Sequence, residues 1–207
     1  MVERKPRKIL PHQRKRTLDG SFEVNGVNST ETIRKLKSLN GIPIEEIEKE
    51  MKGRQETDRY LGPNERLLDI LAEDNEFVLS RGLTHQQLAE PLFQIANEHL
   101  KLDSRFYTLR MSINGVEFEV QGSGFPMYEY SPFRDGGIQG HNYKVTNIRT
   151  GKSLHFSAIH PYLISRYGFY EGKQVDYRIN PKDIIGVFAL GKSKHQENSG
   201  SSAPNAQ

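Results

Sequence analysis

The chain has 207 residues, 35% of them hydrophobic, and a mean hydropathy of -0.69. These values are low for a fully packed domain of this length, so we expect part of the chain to lie outside the core. The absence of cysteine excludes disulfides and thiolate metal sites.

The first residues contain no apolar signal segment, and no run is apolar enough for a membrane-spanning helix. We therefore expect a soluble, cytoplasmic protein that does not engage a membrane. The net charge of +3 is unevenly distributed, because seven cations precede residue 17 and oppose only Glu3: Arg4, Lys5, Arg7, Lys8, Arg14, Lys15 and Arg16. Such a basic arm predicts binding of nucleic acid or another polyanion through phosphate neutralisation.

Composition divides the chain into four segments. We predict a disordered basic arm at 1–20, a short helical segment at 21–57, an α+β globular domain at 58–191 and a disordered polar tail at 192–207.

Two short helices are predicted after the arm. The first begins at Ser29 or Thr30 and runs to about Leu39, where Asn40-Gly41 ends it. The second begins at Pro43 and ends near Gly53. The pair has the outline of a helix-turn-helix, but four glutamates on the second helix argue against DNA reading: Glu45, Glu46, Glu48 and Glu50.

Two longer helices and a hairpin follow. Asn64 begins one helix, and Thr84 with Gln87 forms a capping box for another that extends to about Leu100. Apolar residues then alternate around Asn114-Gly115, which predicts a type I′ hairpin in which Ile113 pairs with Val116 and Arg110 with Glu119. The two helices and the hairpin have the outline of a winged helix, a DNA-binding fold in which the helix that begins at Thr84 would be the recognition helix. The absence of Arg or Lys before Lys101 on that helix argues against this alternative.

Residues 122–140 show no periodicity and are rich in glycine and aromatic residues. We predict a long loop that could bind a protein partner. Beyond it we predict a hairpin around Thr150-Gly151, a helix from Tyr162 to Tyr167, and strands at 175–179 and 184–190. The predicted fold class is α+β: a helical N-terminal half packed on an antiparallel β-sheet built from hairpins, with about four to six strands and disordered tails.

Candidate chemistry concentrates in 155–172, and His141 lies shortly before this stretch. Acting as general acid and base, His141, His155 and His160 could cleave a phosphodiester without a metal. Their spacing is not that of a recognised zinc site, so we predict no metal and no cofactor. His160-Pro161 opens a helix, and with Arg166 it forms a possible anion site, whereas Ser157 is expected to cap that helix.

No stretch carries a complete catalytic motif. We therefore predict a non-enzymatic binding or regulatory protein whose basic N-terminal arm engages nucleic acid or another polyanion. A small metal-independent enzyme that cleaves phosphodiesters with the three histidines is the alternative, and a protein–protein interaction module is the second alternative.

Overall fold

The computed structural model describes residues 29–53, 59–99, 102 and 105–191. Its helices are α1 (Thr30–Ile33), α2 (Ile44–Met51), α3 (Leu67–Ser80), α4 (His85–His99), α5 (His160–Tyr167) and α6 (Pro181–Phe188). Its strands are β1 (Ser38–Leu39), β2 (Ile42–Pro43), β3 (Phe106–Ile113), β4 (Val116–Tyr130), β5 (Gly137–Asn147) and β6 (Ser153–Ser157). The predicted basic arm and polar tail, 1–20 and 192–207, lie outside the described residues.

The predicted helical N-terminal half is wrong, because strands and helices alternate along the chain. A two-stranded ladder, β1–β2, lies between α1 and α2, and two helices follow the larger sheet. The reason lies in Asn40 and Gly41, which have φ of 53° and 78° and join Leu39 to Ile42 in a hairpin. A helix that was expected to reach Leu39 therefore ends at Ile33.

The larger sheet of the described chain is an antiparallel meander in the order β3-β4-β5-β6. The predicted first hairpin is confirmed: Ile113 pairs with Val116 and Arg110 with Glu119. Positive φ angles at Asn114 and Gly115 give the type I′ turn. The second predicted hairpin is also confirmed, as β5 pairs with β6.

The long loop predicted at 122–140 is wrong in most of its length, because β4 extends to Tyr130 and β5 begins at Gly137. Two of its glycines lie under aromatic rings. A Cβ on Gly122 would lie 2.1 Å from the Tyr107 ring, and one on Gly140 would lie 2.1 Å from the Phe125 ring. Glycine is therefore used here for close packing within strands rather than for a loop.

The two strands predicted at the C-terminal end are also wrong. Residues 175–177 form a bend and a turn, residues 178 and 179 have no regular secondary structure, and residues 184–190 belong mostly to α6. The Asn180 side chain caps this helix by accepting the Lys182 N–H at 2.9 Å, and Pro181 occupies its first turn. A short apolar run does not distinguish helix from strand, but these two residues favour a helix.

Alternate residues of the sheet face opposite sides. One side is apolar, with Phe118, Val120, Val145 and Phe156 buried, and α6 packs on it through Phe188, whose ring centroid lies 5.2 Å from that of Phe118. These residues belong to one hydrophobic core that extends from Ile33 to Phe188. The other side is largely exposed.

A buried carboxylate joins two of the helices. Glu48 of α2 accepts the Leu67 N–H at 2.8 Å and thereby caps α3.

The predicted capping box of α4 is present, since the Thr84 N–H donates to Gln87 and the Gln87 N–H donates to Thr84. Among the described residues, none of the helices combines the length and apolarity required to cross a bilayer.

Candidate functional site

A groove with a volume of about 650 Å³ lies between the sheet and the segment that leads into α6. We call its sides the strand wall, formed by Gln121, Asn142, Lys144, Ser153 and His155, and the loop wall, formed by Asp176, Tyr177, Arg178, Ile179, Asn180 and Asp183. Ser157 and His160 also line it. Its volume is typical of ligand pockets.

Lys144 and His155 define the strand wall. They are directly opposite partners on β5 and β6, and both are exposed. Residues opposite each other in an antiparallel pair have Cβ atoms about 5 Å apart. Within the described part of the chain, neither side chain has a hydrogen bond or an ion pair. Together they present unpaired hydrogen-bond donors to the groove.

The loop wall has a different character. Asp176 and Asp183 contribute carboxylates, and neither has a side-chain hydrogen bond or ion pair to any residue described. Tyr177 lies between them with 63% of its surface exposed. This wall therefore combines hydrogen-bond acceptors with an accessible aromatic ring.

Glu65 fixes the chain immediately before the loop wall. Its carboxylate is buried and accepts the N–H groups of Gly62 at 2.7 Å, Lys173 at 2.7 Å and Gln174 at 3.2 Å. Gly172 allows this approach, because a Cβ there would lie 2.0 Å from Glu65 Oε2. The loop wall is thus anchored to a segment that precedes it by more than 100 residues.

Arg178 provides the second anchor. Its guanidinium binds both carboxylate oxygens of Asp74 on α3, at 2.6 and 3.1 Å, and also donates to the Glu171 carbonyl. Burial raises the pKa of Asp74, and the guanidinium of Arg178 opposes this without cancelling it. Because its donors are engaged here, Arg178 holds the loop wall in place rather than serving as a free cation.

Two residues that line the groove, Ser157 and His160, form a cluster with Glu129 and Glu171, in which all but the partly buried Glu129 are buried. His160 Nδ1 accepts the Ser157 N–H at 3.0 Å, which places the proton of the neutral ring on Nε2, 3.0 Å from Glu171 Oε1. Burial lowers the pKa of His160, but the Glu171 and Glu129 carboxylates outweigh it, so that this pKa lies above its usual value.

The remaining contacts of this cluster are structural. Glu129 accepts the Ile159 N–H at 3.3 Å, and burial raises the pKa of its carboxyl. The Ser157 hydroxyl lies 2.9 Å from His160 Nδ1. The predicted capping of α5 by Ser157 is wrong, because the N-cap residue is Ile159 and no side-chain cap hydrogen bond is formed there. Ser157 and His160 instead join the last residue of β6 to the first residue of α5.

The structure does not bring the three predicted catalytic histidines together. His141 lies on the apolar side of the sheet, with its ring centroid 6.4 Å from that of Tyr143. His155 is opposite Lys144 on the other side. The described residues contain no cluster of three or more His, Asp or Glu placed to hold a metal ion.

The predicted anion site is not formed either. Arg166 lies 3.6 Å from Asp135, whereas His160 is surrounded by Glu129 and Glu171, whose carboxylates would repel an anion. The seven predicted polyanion-binding residues of the arm, 4–16, lie outside the described residues.

The loop wall could not be predicted from the sequence, because apolar and polar residues alternate at 175–179 in a pattern typical of a strand. The roles of Glu65 and Glu171 were not predicted either. In the structure Glu171 has φ of 70°, a conformation uncommon outside glycine. In the sequence, the glycines at Gly168 and Gly172 on either side of it indicate an irregular, constrained segment.

Comparison of the chain with protein-family models, with curated proteins and with solved structures gives no match.

Proposed function

We propose that this protein is a non-enzymatic nucleic-acid-binding protein in which the basic arm and the strand wall of the groove contact phosphates. The observation that carries the proposal is the Lys144–His155 pair. Two adjacent nitrogen donors that face a groove without protein partners favour an anionic ligand.

The charge layout of the chain supports the same function. Seven cations and one acid occupy residues 1–16, so the arm is strongly basic while the rest of the chain is slightly acidic. An arm of this kind supplies sequence-independent affinity, and the groove supplies a defined contact on the folded body.

The arrangement of the histidines favours binding over phosphodiester cleavage. General acid–base cleavage needs two groups at one phosphate. His141 and His155 lie on opposite sides of the sheet, and both ring nitrogens of His160 face groups of the protein itself.

The test is anisotropy of a labelled single-stranded oligonucleotide at 50 and 200 mM salt. Deleting residues 1–16 should reduce the slope of log K against log salt by as much as about 5, since each of seven phosphate contacts contributes about 0.7. Lys144→Gln should reduce it by about 0.7, whereas Lys37→Gln, an exposed lysine outside the groove, should leave it unchanged. Unchanged affinity after deletion of the arm would overturn the proposal.

A further inference from the structure

We infer that the groove is a site for single-stranded nucleic acid, with the sugar-phosphate backbone on the strand wall and a base on the loop wall. This inference rests on the proposed function and specifies the ligand of the same groove.

The separation of charge between the two walls supports a single strand. Lys144 and His155 offer donors on one side, while Asp176 and Asp183 offer carboxylates on the other. A duplex carries phosphates along both of its edges, so a duplex that filled the groove would bring one backbone against the two carboxylates. A single strand has phosphates on one edge and bases on the other, and carboxylates accept hydrogen bonds from base amino groups.

Tyr177 supplies the stacking surface. Its ring is 63% exposed on the loop wall, and it makes no hydrogen bond or ring contact with the residues described. Stacking on an aromatic side chain holds an unpaired base without selecting its identity. Bases inside a duplex are already stacked on each other and do not offer a face to such a ring.

The loop wall is held in position before any ligand arrives. The Glu65 carboxylate fixes residues 173 and 174, and the Asp74 carboxylate fixes Arg178, so Tyr177 lies between two anchored points. A volume of about 650 Å³ suits a ligand of nucleotide size rather than the width of a duplex.

The experiment compares a labelled 12-mer as single strand and as duplex with the full chain. We expect the single strand to bind more tightly. Tyr177→Ala should weaken single-strand binding by roughly 5- to 150-fold, the effect of one base–aromatic stack, and should leave duplex binding unchanged. Tyr177→Phe should retain affinity. Tyr130→Ala is the matched control, since Tyr130 is 58% exposed and lies outside the groove.

A second readout is independent of affinity. The chain contains no tryptophan, so Tyr177→Trp introduces a single reporter whose fluorescence should be quenched when a base stacks on it. Equal affinity for both oligonucleotide forms, or unaltered single-strand binding by Tyr177→Ala, would overturn the inference. If binding still depends on the arm and on Lys144, the proposed function stands without it; if neither oligonucleotide binds, both fail.

Discussion

Glu65 is the residue whose substitution tests most directly how the loop wall is held. Glutamine at this position keeps one acceptor oxygen and replaces the other with an NH₂ group. If the glutamine oxygen still accepts the Lys173 and Gln174 N–H groups, the new NH₂ group faces the Gly62 N–H. Two donors then face each other where the wild-type carboxylate accepts a hydrogen bond of 2.7 Å.

The expected cost follows from that exchange. A hydrogen bond to a charged group contributes about 1.5–3 kcal/mol, and leaving a buried donor unpaired removes the full amount. We therefore expect Glu65→Gln to lower the free energy of unfolding by about 2–3 kcal/mol. In urea this corresponds to a midpoint shift of roughly 1 M.

Urea unfolding followed by circular dichroism measures this shift, and Glu73→Gln provides the control. Glu73 forms an ion pair with the side chain of Lys173, but both side chains are about half exposed. Exposed pairs contribute less than about 1 kcal/mol. Equal midpoint shifts in the two variants would refute the conclusion that the Glu65 carboxylate anchors the loop wall.

The other predictions concern a buried histidine and two glycines. Burial lowers the pKa of His85 to about 3, against 6.5 when unperturbed, so the unfolded chain binds an additional proton between these values. The free energy of unfolding should then fall as the pH falls from about 6.5 to about 3, by as much as about 1.4 kcal/mol per pH unit. Urea unfolding at several pH values should show a flatter pH dependence for His85→Gln. An unaltered pH dependence in this variant would contradict the lowered pKa of His85. Gly172→Ala should lower the melting temperature, because its Cβ would lie 2.0 Å from Glu65 Oε2 and 3.0 Å from Leu61 Cα. Gly186→Ala should raise it, since the position is helical and the nearest atom is 3.6 Å away, and alanine is favoured there by about 0.5–1 kcal/mol; shifts of the same sign would be inconsistent with this packing.

Local patterns predicted the parts of the fold that depend on local contacts. The Asn114-Gly115 hairpin has the predicted register, and the capping box at Thr84 and Gln87 has the predicted hydrogen bonds. The same dipeptide at Asn40-Gly41 was interpreted as a helix stop, although it forms a hairpin. An Asn-Gly pair specifies positive φ angles, and its neighbours in space decide whether it follows a helix or joins two strands.

Contacts between residues that are distant in the sequence account for the features that could not be predicted. In the sequence, Gly122 and Gly140 are typical of a loop, whereas in the structure the rings of Tyr107 and Phe125 pack against them. In the candidate site, His155 was identified from its residue type alone, whereas its pairing with Lys144 needed the register of two strands. The roles of Glu65 and Asp74 were not predictable, because their partners lie more than 100 residues away in the sequence.

The anchoring of the loop wall has a consequence for the modularity of the protein. Strands β3 to β6 are joined by short connections and pair with sequence neighbours, so the meander resembles a unit that could be transferred alone. The groove is not contained in that unit. A fragment that starts at residue 105 would keep Lys144 and His155 but lack both carboxylates that position the opposite wall. During synthesis from the N-terminus, Glu65 and Asp74 are therefore made about 100 residues before the segment that they hold in place.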